Sequence, residues 1–241
     1  MVVRVRRQGR KGALAFGVVA VVAVGLGCAS AAVAGARRPV ATGPITLLGS
    51  TASARPSVAP ALGPGGAIFD NFGTNHAYSC CVGWTVSEPG SVVGTSMAAN
   101  AFTPTQAAVV TRIEIALSNV LGTNNATIEL TSDSGGLPGT VLESEAVSGQ
   151  PSFGTCCGFT TVFTASIPVL AGHRYWVGAI AGPNDANDTW DAWTWNSTGQ
   201  TGPVAFDSGS GWVLDSSSAT EGAFAVLGCA ATAFSRGCTD S

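Results

Sequence analysis

From residue 66 onward, short runs of β-branched and aromatic residues alternate with Gly, Asn, Asp, Ser and Pro, a pattern typical of strands joined by turns. The clearest run covers residues 109–117. Because successive side chains of a strand point to opposite faces, one face should carry Val109, Thr111, Ile113, Ile115 and Leu117. In the next run, residues 126–131, Ile128 and Leu130 should point inward. Further strands are predicted over residues 141–147, 159–167, 174–180, 190–195 and 223–227.

Strands of this length, without a convincing amphipathic helix, predict an all-β fold. The expected architecture is an antiparallel β-sandwich, jelly-roll-like and disulfide-stapled, with two sheets packed face to face. A closed barrel is the alternative. Residues 133–139, with the sequence DSGGLPG, predict a turn between two strands, since glycine readily adopts the positive φ angles that such reversals need.

The N-terminus has the three parts of an export signal. Residues 4–11 are basic, residues 13–26 are apolar, and small residues before position 36 offer cleavage sites, so residues 1–36 are predicted to be a signal peptide. Two alternatives stay open. The sequence before Cys28 resembles a lipidation site, and the apolar stretch is about the length of a membrane-spanning helix, so it could be retained as an anchor.

The remaining chain divides by composition. Residues 37–65 are rich in Pro, Gly, Ala, Ser and Thr and predict a flexible linker, and residues 66–241 are predicted to form the β-sandwich domain. Seven of the 11 basic residues lie within the first 38 positions, whereas all 14 acidic residues lie from Asp70 onward. Such an acidic domain is not expected to bind nucleic acid, or a membrane beyond the export signal.

Six cysteines follow the predicted signal peptide. Exported chains meet oxidising conditions, so these cysteines are predicted to form disulfides. The expected pattern joins the two vicinal doublets to each other and joins the last two cysteines. A zinc site is disfavoured because adjacent cysteines lack the two-residue spacing of a zinc knuckle, and no C-x-x-C redox motif occurs. The six are Cys80, Cys81, Cys156, Cys157, Cys229 and Cys238.

The segment of residues 183–196 is the best candidate for a binding site. It concentrates oxygen ligands of the kind that calcium prefers, at Asp185, Asn187, Asp188 and Asp191. Calcium is the one cofactor that the sequence suggests; otherwise none is expected. The spacing does not match an EF-hand loop, and the alternative is a solvated turn between strands.

Three tryptophans follow in the same segment. Trp193 and Trp195 should share one face of a strand, with Trp190 at its start, and exposed tryptophans in such a row stack on sugar rings. The alternative is that these rings pack in the core, as large aromatic side chains commonly do in β-sandwiches.

Candidate catalytic residues are few. Glu143 and Glu145 lie two positions apart, so they share a face of a predicted strand, but alternating glutamates on a solvated face give the same pattern. A serine–histidine–aspartate triad would need His76 or His173, and no G-x-S-x-G motif is present. No residue is therefore assigned a catalytic role.

Seven motifs follow one another in order along the domain: FDNFG (69–73), GWTV (83–86), AFTP (101–104), IEIAL (113–117), GLPGTVL (136–142), LAGHRYW (170–176) and GAFAV (222–226). In this order they resemble the bacterial choice-of-anchor exported domains, a PEP-CTERM-type family. The resemblance implies a β-sandwich fold and an exported location. It implies no catalytic activity, because none is well established for the family.

These observations predict a non-enzymatic secreted or cell-envelope β-sandwich module with a structural or interaction role. Its partner would be an extracellular polysaccharide or an envelope protein. One alternative is a carbohydrate-binding module that uses the Trp190–Trp195 surface with help from calcium. The other is a secreted glycoside hydrolase. We expect the protein to be extracellular or attached to the cell envelope.

Overall fold

The structure of the protein is a computed structural model that describes residues 44–46, 66–156, 158–182, 184 and 186–231. Within these residues the secondary structure is almost entirely β, apart from a short 3-10 turn at Thr74–His76. The strands are β1 (Pro44–Thr46), β2 (Gly66–Asp70), β3 (Tyr78–Ser87), β4 (Met97–Phe102), β5 (Ala108–Ile115), β6 (Leu117–Leu121), β7 (Asn125–Ser134), β8 (Leu137–Ser148), β9 (Thr160–Val169), β10 (Tyr175–Ala181), β11 (Trp190–Asn196), β12 (Thr201–Asp207), β13 (Val213–Thr220) and β14 (Phe224–Ala230).

The strands form two packed layers. One layer is a six-stranded antiparallel sheet with the strand order β13-β12-β4-β10-β7-β8. The other layer combines two four-stranded antiparallel sheets, with the orders β1-β3-β11-β6 and β2-β14-β5-β9. Side chains from all three sheets meet in one buried cluster, which includes Trp84, Ile128, Val177 and Val226. The predicted all-β, sandwich-like fold is thus confirmed.

The two four-stranded sheets are joined through Ala116, the residue between β5 and β6. The Ala116 N–H donates to the carbonyl of Ala223 at 3.0 Å, and the Thr194 N–H donates to the carbonyl of Ala116 at 2.9 Å. These bonds link β11, in one four-stranded sheet, to the segment before β14, in the other. The two sheets therefore form one continuous layer.

Each strand predicted from alternation overlaps an observed strand, but the predicted faces of β5 need a correction. Ile113, Ile115 and Leu117 point into the core as predicted, whereas Val110 and not Val109 belongs to the core cluster. Against β14, Arg112 pairs with Leu227 and Val110 pairs with Gly228, so Thr111 is an extra residue in β5. A bulge of this kind moves the side chains beyond it to the opposite face.

The hairpin between β7 and β8 follows the predicted turn chemistry. Gly135 and Gly136 both have positive φ angles, 64° and 91°, and Ser134 pairs with Leu137 directly across the turn. Such a two-residue turn favours glycine at both central positions.

A disulfide joins Cys80 of β3 to Cys156, which lies in the connection between β8 and β9. This bond confirms the predicted cross-link between the two cysteine doublets. Cys229 is also disulfide-bonded. Its predicted partner Cys238 lies outside the described residues, as do Cys157 and the predicted signal peptide. Among the described residues, no helix is long and apolar enough to cross a membrane.

Candidate functional site

A group of buried and half-buried polar side chains lies at one end of the sandwich. Its members come from the residue after β3, from the strand β6, from the connection between β10 and β11, and from β11 itself. In β11, Asp191 pairs with Val86 of β3 on one side and with Asn119 of β6 on the other. We call this group the Asp191 cluster, and its members are Glu88, Asn119, Asn184, Thr189 and Asp191.

Glu88 ties the end of β3 to the connection between β10 and β11. Its Oε2 accepts hydrogen bonds from the Asn184 side-chain amide and, at 3.0 Å, from the Thr189 backbone N–H. The Glu88 N–H in turn donates to the Thr189 carbonyl at 3.0 Å. Glu88 is buried, with 6% of its surface exposed, so its carboxylate depends on these donors.

Thr189 extends the cluster to the connection between β6 and β7. Its hydroxyl lies 2.8 Å from the carbonyl of Thr123 and 2.6 Å from Oδ1 of Asn125. The Asn184 side-chain amide donates to the same hydroxyl at 2.9 Å. Three connections of the chain therefore meet at one fully buried threonine.

Two glycines allow the connections to approach closely. A Cβ atom at Gly90 would lie 2.2 Å from the carbonyl oxygen of Asn187, which is far inside van der Waals contact. Gly122 has a φ of 79°, and a Cβ atom there would lie 2.1 Å from the carbonyl oxygen of Asp188. The loop of residues 187–188 can pack against both neighbours only because these positions have no side chain.

Asp191 is the member of the cluster whose carboxyl group has a buried oxygen without a hydrogen-bond donor among the described residues. Its Oδ1 accepts a hydrogen bond from Asn119 Nδ2 at 3.0 Å, whereas its Oδ2 accepts none from the described residues. Burial raises the pKa of Asp191 to about 7; the bond from Asn119 opposes this rise, and the charge of Glu88 adds to it. A carboxyl group with such a pKa exchanges readily between its neutral and charged forms near neutral pH.

The residues predicted to bind calcium differ in burial and in contacts. Asp191 is buried, whereas Asp188 is half-buried, and its Oδ1 accepts bonds from the N–H and the hydroxyl of Thr123 at 3.1 and 2.8 Å. These bonds lower the pKa of Asp188. Asn187 has a positive φ of 54°, and Asp185 lies outside the described residues.

Within the described part of the chain, no group of three or more His, Cys, Asp or Glu side chains converges as a metal site. The calcium site as the sequence suggests it, with Asp185, stays a prediction. What the sequence did not indicate is the position of Glu88 near Asp191. Glu88 precedes a Pro-Gly pair, which is typical of a turn, and no local pattern links it to Asp191.

The predicted stacking surface needs a correction. Trp193 is fully buried, its indole N–H donates to the carbonyl of Ala223 at 3.0 Å, and its ring meets Phe224 edge-on at 5.6 Å. Trp193 and Trp195 share a face, as expected, but that face packs against the core, where Trp195 lies 5.2 Å from Trp84. Trp193 therefore cannot stack on a sugar ring, and Trp190 is half-buried.

The two candidate catalytic glutamates lie side by side on β8, and one of them bonds to a neighbouring strand. Glu143 and Glu145 pair with Leu130 and Ile128 of β7, which puts them on one face as predicted. Glu143 Oε2 accepts a bond from the Ala165 N–H at 2.9 Å, so this carboxylate bridges two strand edges. Glu145 is exposed.

The two histidines contact different sets of residues. His173 lines a shallow cleft of about 350 Å³ together with Ser132 and Asp133. Both Asp133 oxygens already accept bonds, from the Trp176 indole N–H at 2.8 Å and the Gly136 N–H at 3.0 Å. His76 is 3.2 Å from the carboxylate of Glu114. Among the described residues, neither histidine forms a hydrogen bond to a serine hydroxyl, as a catalytic triad would require.

Comparison with known proteins assigns no family to this chain. No protein-family model matches it, and neither do any curated proteins or solved structures. The resemblance to the choice-of-anchor domains stays a prediction, and any function of the Asp191 cluster has to be argued from its own chemistry.

Proposed function

We propose that the protein is a secreted or cell-envelope β-sandwich module that acts by binding an envelope protein and not by catalysis. The observation that carries this proposal is the disulfide between Cys80 and Cys156. Disulfides persist outside the reducing cytoplasm, and the basic, apolar and small-residue segments of the N-terminus are those of an export signal. Both features favour a location beyond the cytoplasmic membrane.

The polar contacts favour binding over catalysis. Glu143, the better placed of the two candidate catalytic carboxylates, bonds to the backbone of Ala165. Retaining glycosidases need two carboxyl groups that face each other across a sugar cleft, about 5–5.5 Å apart. Glu143 and Glu145 instead follow each other along β8, which lies at the edge of its sheet. A glycoside hydrolase is therefore not supported by this pair.

The charge of the domain favours a protein partner over an anionic polymer. Residues 66–241 contain 14 acidic residues and three basic ones (Arg112, Arg174 and Arg236), so their formal net charge is 3 − 14 = −11. Such a surface repels anionic polysaccharides and attracts basic protein segments. With Trp193 in the core, the stacking row expected of a carbohydrate-binding module is interrupted. A basic surface on an envelope protein is the partner that fits best.

Binding to isolated cell envelopes tests the proposal. The exported, oxidised chain is mixed with envelopes of a bacterium that secretes it, at low and at high salt, before and after the envelopes are treated with protease. We expect saturable binding that weakens at high salt and disappears after protease treatment. Binding that survives protease treatment would identify a polysaccharide partner and overturn the choice of a protein. Hydrolysis of any glycoside in a parallel assay would overturn the non-enzymatic role.

A further inference from the structure

The Asp191 cluster contains two buried carboxyl groups for which the described chain provides no cation. The salt bridges of Arg residues in the described part of the chain are Arg112–Glu114 and Arg174–Asp133, and His76 contacts Glu114. Arg112 and Arg174 are the only Arg or Lys residues between positions 66 and 231, and both pair with other carboxylates. A positive charge for Glu88 and Asp191 would therefore have to come from solution.

An unpaired buried charge is costly, and so is a buried acceptor without a donor. Asp191 has no exposed surface, and its Oδ2 accepts no hydrogen bond from the described residues. The same carboxylate receives one bond, from Asn119, through its other oxygen. This orphaned oxygen is a second observation, independent of the acidic composition, that indicates a missing partner at this position.

Two buried carboxylates offer the chemistry of a hard cation site: Asp191, and Glu88, which bonds to Thr189 two residues before Asp191 on the chain. Asn119 and Asn184 donate their amide N–H groups to these carboxylates and so position them. Calcium takes six to eight oxygen ligands in flexible geometry, whereas magnesium demands a near-ideal octahedron. A site whose two carboxylates come from a strand and from a connection between strands suits the less demanding ion.

We propose that Asp191 and Glu88 are ligands of a calcium ion at the loop-bearing end of the sandwich. This site differs from the one suggested by the sequence, because it uses the buried Asp191 with Glu88 and leaves Asp188 at the surface. It does not depend on the proposed binding of an envelope protein. By joining the connection after β3 to the strand β11, the ion would stabilise this end of the fold.

Calcium titration of the purified oxidised chain, first stripped with EDTA, tests the site. Extracellular calcium modules commonly have Kd values of about 10⁻⁴–10⁻³ M, so 10 mM calcium should raise the melting temperature by about 3 °C or more. Terbium should bind at the same place, and we expect it to emit when tryptophan is excited, since Trp190 precedes Asp191. No rise in melting temperature and no tryptophan-sensitised terbium emission in the unmutated chain would overturn the proposal.

Matched variants locate the ion. Asp191→Asn and Glu88→Gln should each abolish the calcium-induced rise and the terbium emission. Asp215→Asn and Glu145→Gln, which change exposed carboxylates of the same types, should keep both. Asp188→Asn distinguishes the two sites. If Asp188→Asn abolishes calcium binding while Asp191→Asn preserves it, the ion belongs to the surface loop and the proposed site is wrong.

Discussion

The backbone N–H of Phe224 donates to Oδ1 of Asn71 at 2.7 Å, although the two residues are 153 positions apart. Asn71 Nδ2 donates to the carbonyl of Gly222 at 2.9 Å and to Oε2 of Glu221 at 3.3 Å. One buried side chain thus satisfies polar groups on both sides of the turn into β14. It ties the residue after β2 to the start of β14, the strand that pairs with β2.

Asn71→Leu should destabilise the protein, because it leaves the Phe224 N–H and the Gly222 carbonyl buried without partners. A cost of about 2–4 kcal/mol in the free energy of unfolding is expected, since each such group costs about 1–3 kcal/mol. Urea unfolding measures it. The exposed Ser217→Ala is the control and should change stability by less than about 0.5 kcal/mol. Equal stability of both variants would show that the Asn71 bonds contribute nothing net.

Glu221, the neighbour of Asn71, should make stability depend on pH. Burial raises the pKa of Glu221 from 4.5 to about 7, while hydrogen bonds from Asn71 and Gln200 oppose the rise. Because the folded state holds its proton more tightly, the contribution is complete below pH 4.5 and is lost as the pH rises through 7. It amounts to at most about 3 kcal/mol.

The measurement for Glu221 is the free energy of unfolding from pH 4 to pH 8, with EDTA present throughout. Unmutated protein should lose stability over this range more steeply than Glu221→Gln, whose side chain is uncharged at every pH. Other buried acids contribute to both proteins, so the difference between the two curves carries the result. Parallel curves would mean that Glu221 does not titrate in this window.

Trp193 should contribute to stability and not to ligand binding. Trp193→Ala removes a fully buried indole and should cost about 3–5 kcal/mol. Gly222→Ala tests the same contact from the other side, because its Cβ would lie 2.4 Å from Trp193 Nε1. Thermal unfolding of both variants, with Val213→Ala on the exposed edge strand as control, measures the effect. A stable Trp193→Ala variant that loses affinity for a glycan would contradict the core assignment.

The disulfide between Cys80 and Cys156 should be a major source of stability. It closes a loop of 76 positions, for which chain entropy predicts a contribution of about 4 kcal/mol. The double variant Cys80→Ser, Cys156→Ser avoids an unpaired thiol and should show this loss in urea unfolding under oxidising conditions. Reducing agent should then lower its stability less than that of the unmutated protein. An unchanged midpoint in the double variant would contradict the prediction.

The local alternation of apolar residues predicted β5, β7, β8, β9, β10, β11 and β14, but it did not predict β2, β3, β4 or β12, which also supply side chains to the core. It could not reveal the bulge in β5 that turns Val110 inward, since one extra residue leaves no mark on composition. The strand β4 was missed because its sequence, MAANAF, is mostly alanine, which has little intrinsic preference for strands.

The candidate site was the least predictable part of the molecule. Residues 183–191 could be recognised as rich in oxygen ligands, but Glu88 lies 101 positions before Thr189, to which it bonds. Nothing in the local sequence indicates that these two residues meet. The burial of Trp193 was equally a matter of tertiary context, because a strand with tryptophans at alternate positions looks the same whether that face meets solvent or a second sheet.

Export of an oxidised domain is tested most directly by trapping the thiols in growing cells. Bacteria that express the full chain are treated with an alkylating reagent and fractionated, and the peptides of each fraction are identified by mass spectrometry without reduction. We expect the peptide pair joined through Cys80 and Cys156 in the culture fluid or the envelope fraction. Recovery of the chain in the cytoplasm with both of these cysteines alkylated would contradict the proposed location and role.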